Sequence, residues 1–220
     1  MAAHTSLNPR SCIGSSTRPW PTGATVVVPI YPLAPQRTAG TVVPQMADMI
    51  SGQIDQHGAE NVSLYGDSAG GGIALTASQE LVRRGDPVPS HMVLLSPTLD
   101  LTFSNPAIQF IDDPVLTATT LRKAQLWAGD LDLSDPLVSP LYGSLAGLPP
   151  TTIYFGNLGP PLPRCFVRQN NALATPDADF TFILRKGEVH IWPTFWIFLW
   201  PEAIAVLPDI YRQLGIGSQA

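Results

Sequence analysis

Lysine is nearly missing from this chain: only Lys123 and Lys186 occur, and no run of basic residues makes up for them. With a net charge of −5, nucleic acid and acidic membranes are poor partners, because both are held mainly by clustered Lys and Arg. Cysteine is equally scarce. Cys12 and Cys165 stand far apart without metal-type spacing, which argues against a disulfide framework and against a zinc site. A reduced, cytoplasmic protein is the expectation. Unbroken apolar runs are lacking as well. The most apolar stretch, "IWPTFWIFLWPEAIAVL", is interrupted by Pro193, Pro201 and Glu202, so no transmembrane span is expected. The N-terminal "MAAHTSLNPRSCIGSSTRPWPTG" has no apolar core of the signal-peptide kind.

What is present suits one buried core. Hydrophobic residues make up 45% of 220 and charged residues 13%, so a single α/β domain is the natural reading. From residue 24 the chain alternates short β-branched runs with longer helical ones. "ATVVVPI" (24–30), "NVSLYG" (61–66), "HMVLLSP" (91–97), "TTIYFGN" (151–157) and "FTFILRKG" (180–187) read as strands. Their near-continuous apolarity suits strands covered on both faces, as in a parallel sheet. "TVVPQMADMISGQIDQHG" and "AGGGIALTASQELVRRG" have helical spacing and end at Gly58 and Gly85. Further helices are expected at Leu116–Ala128, Phe166–Ala174 and Glu202–Leu214. The expected division is an irregular arm over 1–23, with a late-pairing strand or disorder as its alternatives, the partial α/β domain over 24–215, and a tail over 216–220.

One motif carries chemistry. Gly66-Asp67-Ser68-Ala69-Gly70 matches G-x-S-x-G, with a strand before it and a helix after it. A nucleophilic serine needs that context, because a strained turn lifts its hydroxyl while small neighbours keep clear of it. The backbone N–H of Ala69, at the helix start, would then face a developing oxyanion. The plainer alternative is a Gly-rich turn with a capping serine.

"GDSAGGG" (66–72), "VVVPIYPLAPQ" (26–36), "SPTLDL" (96–101) and "DPLVSPLYGSLAGLPPTTIYFGNL" (135–158) together resemble the α/β-hydrolase fold, within it the hormone-sensitive lipase family of esterases. The likeness covers about residues 24–215. It implies a mostly parallel sheet flanked by helices, a small acyl-ester substrate, no metal and no organic cofactor. It also implies a Ser…Asp…His order, which makes His190 in "LRKGEVHIW" the general base to Ser68. His4, His57 and His91 are poorly placed for that task.

The chain departs from the family pattern at three points. Gly159 stands where the triad acid is expected, and the next carboxylate is Asp177. Loss of that acid costs about 10⁴-fold in turnover in serine hydrolases. Asp100 and Glu188 are the substitutes to weigh, Asp100 more plainly as a turn-capping residue and Glu188 as too close in sequence to His190. No H-G-G-G-type oxyanion loop precedes "VVVPIYPLAPQ", and one lost oxyanion donor costs about 10²–10³-fold. The strand before that loop, which in the family separates "ATVVVPI" from "NVSLYG", and the N-terminal cap are missing with it. An open edge of this kind invites homo-association. The rival function is a catalytically inactive remnant that binds lipid or a partner chain; acyl transfer to an alcohol would use the same site. The run "WPTFWIFLW" reads as packing for the last helix, or alternatively as an acyl-pocket wall.

A frame shift would account for Gly159 within an otherwise family-like segment. "GPPLPRC" can be encoded so that a one-nucleotide shift reads Asp-Leu-Leu-Ser-Arg-Asp-Ala. The gene's codons over residues 159–165 are expected to give that aspartate in the alternative frame. Codons that give none rule the shift out.

Overall fold

The computed structural model describes the backbone of residues 4–7 and 14–19, and residues 23–104, 113–114, 124–156 and 178–216 in full. Among the described residues, seven strands form two sheets. β1 (His4–Leu7), β2 (Gly14–Pro19) and β3 (Thr25–Ile30) make an antiparallel three-stranded sheet. β4 (Ser63–Asp67), β5 (His91–Leu95), β6 (Thr151–Gly156) and β7 (Phe180–Arg185) make a parallel four-stranded sheet in that order. Register is carried across it by pairs such as Gly66 with Leu94, Leu94 with Ile153, and Ile153 with Phe182.

The helices follow from spacing. α1 (Ala39–His57) buries Ala39, Val42, Met46, Ile50 and Ile54, a stripe that repeats at intervals of three and four residues. α2 (Ser68–Arg84) answers with Ile73, Ala77 and Leu81, and the two stripes form one cluster. α2 ends where Gly85 turns left-handed at φ 75°, its N–H donating to Leu81 O and Val82 O. Glu80, buried near that end, accepts from Arg83 and Arg84, and Arg84 reaches on to Asp48 of α1.

β5 shows why its sequence is apolar without alternation. Met92 and Leu94 face α2 with Ala74 and Leu75, while Val93 and Leu95 face the opposite cluster with Tyr154, Trp192, Ala203 and Ile210. The last two belong to α3 (Pro201–Gln213). Leu94 and Leu95 are both fully buried, each worth about 1.5–3 kcal/mol relative to exposure. Helices on both sides of a parallel sheet give the expected α/β architecture.

Two expectations change. The first 23 residues are not irregular throughout, since they supply β1 and β2, and β2 pairs antiparallel with β3 from Gly14↔Ile30 to Pro19↔Thr25. β3 in turn is not covered on both faces: Val28 and Ile30 remain 51% and 53% exposed. The reason is its position. β3 and β4 each end a sheet and exchange no ladder bonds, and among the described residues no strand lies between them. The helix expected at Phe166–Ala174 lies outside the described residues, as do 116–123 of the one expected at Leu116–Ala128; Gln125–Trp127 form a 3-10 turn. Among the described residues no helix is long and apolar enough to cross a membrane.

Candidate active site

The site begins where β4 stops. Ser68 opens α2 with φ +50°, a left-handed conformation that a serine adopts only under constraint from its surroundings. The constraint is a close approach of backbones. A Cβ on Gly66 would sit 2.7 Å from Gly70 O and 2.9 Å from Gly71 Cα, so only glycine lets the helix start fold back on the strand end. The second motif glycine differs. A Cβ on Gly70 would meet open space, so the pattern's two glycines do not share one steric task. Gly71 and Gly72 press instead on the loop after β5, against Pro97 and the Thr98 carbonyl. Thr98 N–H donates to Ser68 O at 3.0 Å and ties that loop to the turn.

His190 arrives from the other end of the sheet. After β7 the chain turns at Gly187 (φ 84°) and passes over Gly156, where a Cβ would collide with the carbonyls of Glu188 and Val189. The missing side chain at Gly156 therefore sets how near the histidine loop comes to the sheet. Two side chains then hold the loop by its backbone. His190 N–H donates to Asp113 Oδ2 at 2.7 Å, and Ile191 N–H donates to Ser96 Oγ at 3.0 Å. His190 Nε2 meets Ser68 Oγ at 2.9 Å.

Burial pushes the His190 imidazole below its usual pKa, against the opposing pull of Asp113 and Asp67. A neutral ring with its proton on Nδ1 leaves Nε2 free to accept from the serine. The Ala69 N–H lies in the first turn of α2, where the residue four back, Tyr65, belongs to β4 and supplies no helical carbonyl, and the Asp67 side chain makes no cap bond there. Ser68, His190 and Ala69, the three residues singled out in the sequence, thus share one corner of the fold.

The substitute acids are engaged elsewhere. Asp100 Oδ1 accepts from the N–H and hydroxyl of Thr102 at 2.9 and 2.6 Å, and Oδ2 from Ser104 at 3.3 Å. That is a turn closed by its own aspartate, the capping role. The buried Glu188 carboxylate accepts from the Trp200 indole at 3.1 Å. Gly159, Asp177, Cys12 and Cys165 lie outside the described residues. His57 ends α1 and His91 opens β5, both exposed. The aromatic run divides: Trp192 is fully buried with Tyr154 edge-on at 6.3 Å, whereas Phe198 and Leu199 are 72% and 79% exposed.

Asp113 and Ser96 were not foreseen. Asp113 is 77 residues from His190 and Ser96 is 95 from Ile191. Ser96 opens the SPTLDL segment, which says nothing of a contact with residue 191, and no motif marks Asp113; the assembled sheet brings them in.

A serine on a strained strand-to-helix turn, facing an imidazole delivered after the last parallel strand, defines a class of hydrolase site. A family model for the alpha/beta hydrolase fold matches residues 20–194, and the chain belongs to that family, in its hormone-sensitive lipase branch. It is 48% identical over 204 residues to a triacylglycerol lipase of Mycobacterium tuberculosis (strain ATCC 25618 / H37Rv), covering 92% of this chain and 42% of the relative. It is 31% identical over 187 residues to an esterase of Acinetobacter venetianus, covering 82% of this chain and 60% of that one. The chain therefore spans about half the length of these curated relatives. A crystal structure of a hormone-sensitive lipase from a metagenome library matches with TM-score 0.76 at 25% identity, over 88% of this chain and 67% of that chain.

The unequal glycines make a direct prediction. Gly66→Ala should lower stability by about 1–3 kcal/mol, the usual cost of forcing a group into filled space. Gly70→Ala should leave it unchanged or raise it by up to about 1 kcal/mol, as Ala replaces Gly in a helix. Thermal unfolding of the two variants checks this, and equal melting temperatures would contradict the steric account.

Proposed function

We propose that this chain is a carboxylic-ester hydrolase that works through a serine nucleophile and an acyl-enzyme. The observation that carries the proposal is the 2.9 Å contact between Ser68 Oγ and His190 Nε2, made with Ser68 held at φ +50°.

In this reading Ser68 Oγ attacks the ester carbonyl carbon as its proton passes to His190 Nε2. The carbonyl oxygen takes up the negative charge and is met by the Ala69 N–H at the positive end of α2. Collapse of the tetrahedral species breaks the bond to the alcohol, which leaves with the proton from Nε2. Water then attacks the acyl-enzyme, gives its proton to Nε2, and releases the acid as Ser68 recovers its own. Relatives named lipase and esterase support the same reaction class. The substrate is a small acyl ester, and turnover is impaired relative to a site with a complete triad and a second oxyanion donor.

The test is the initial rate on a short-chain p-nitrophenyl ester, wild type beside Ser68→Ala. With the triad acid and an oxyanion donor reduced, a wild-type rate of about 10²-fold or more above the variant is still expected. Equal rates in two folded proteins would make the chain a non-catalytic binding protein.

Homo-association through the outer edges of β3 and β4, which pair with no strand among the described residues, belongs to the same proposal, because unpaired strand edges recruit other strands. Light scattering should show a concentration-dependent dimer that Val28→Lys returns to monomer; a monomer at every concentration would refute it. A cytoplasmic location is also proposed, and cell fractionation decides it.

A further inference from the structure

Among the described residues, a carboxylate that no motif announces bonds directly to the histidine backbone. Asp113 comes from the loop region between β5 and β6 and accepts the His190 backbone N–H at 2.7 Å. Directly after it, Ile191 takes up φ +52° and donates to Ser96. The backbone that carries the imidazole is thus held by Asp113 on one side and by Ser96 on the other.

We propose that Asp113 is a positioning residue for His190: it fixes the backbone from which the imidazole meets Ser68, and its carboxylate balances the imidazolium formed during the reaction. The inference rests on the serine–histidine reading given above. Other charged groups around His190 do not duplicate this role. Asp67 precedes Ser68 with its side chain exposed to solvent, which screens it. Glu188, two residues before His190, is held by Trp200, and Asp100 closes its own turn.

The charge of Asp113 opposes the burial that lowers the His190 pKa. Removing the charge must therefore lower that pKa further. Hydrolysis needs the neutral ring, so activity is present above the pKa and lost as pH falls through it. In the wild type this acid limb should lie below the ordinary histidine value of about 6.5.

Asp113→Asn separates the two parts of the role, because an amide oxygen still accepts the backbone N–H while the charge is gone. The measurements, on the full chain, are pH–rate profiles with a short-chain p-nitrophenyl ester and an NMR titration of the His190 ring, assigned by its loss in His190→Gln. For Asp113→Asn, both the acid limb and the NMR midpoint should move down by about half a pH unit or more. Its kcat should fall by about 10–10²-fold with KM little changed. Asp113→Ala, lacking the acceptor too, should fall further, and Asp113→Glu should recover part of the loss. An Asp113→Asn midpoint and acid limb equal to the wild type would overturn the proposal. If Ser68→Ala matches the wild-type rate, the hydrolase reading fails, and the NMR midpoint alone still decides whether Asp113 acts on His190.

Discussion

Two stretches of backbone meet at Gly66 at a distance that leaves no room for a Cβ, and the geometry of the site descends from that contact. Because the first turn of α2 can lean on the end of β4, Ser68 is forced into a left-handed conformation and its hydroxyl projects from the turn. The same lean brings Gly71 and Gly72 against the loop after β5, and Thr98 closes the contact through the Ser68 carbonyl. The strain at one residue is thus held by the packing of three. Such a turn is stable only because α2 is anchored on both sides, by α1 through Ile73 and Leu81 and by the sheet through Leu75.

A similar economy operates on the histidine side. Gly156 removes the side chain that would hold the 188–189 backbone away from the sheet, and Asp113 and Ser96 then fix its orientation through hydrogen bonds rather than through contacts with the ring. The electrostatic balance is correspondingly divided. Burial favours the neutral imidazole, while carboxylates at 67 and 113 temper that effect. Both halves of the site depend on β5 and β6, whose side chains fill the space between α2 and α3 from opposite faces.

The parallel sheet was legible in the sequence because its strands are apolar on both faces, as β5 illustrates, and because Gly58 and Gly85 mark helix ends. Ser68 and His190 were legible from a motif in the right context and from chain order. Less of the periphery could be read. β1 and β2 lack any alternation strong enough to declare a strand, and they exist through pairing, β1 with β2 and β2 with β3. The roles of the motif glycines were read as equal, yet one meets backbone and the other meets open space. Asp113 escaped notice because a contact across 77 residues leaves no periodic trace. The aromatic run was read as a unit, but burial stops after Trp192 and Pro193.

Ser68 and His190 lie 122 residues apart, and that separation has a kinetic meaning. A contact this distant closes only after the crossovers linking β4 to β7 have formed, since each shorter loop must be paid for in chain entropy first. The pair is therefore among the last features to assemble and among the first to part when the sheet opens locally. Reactivity at Ser68 would then register the completeness of the whole parallel sheet, so that a chain stalled with β7 undocked carries a serine that is present, exposed and chemically ordinary.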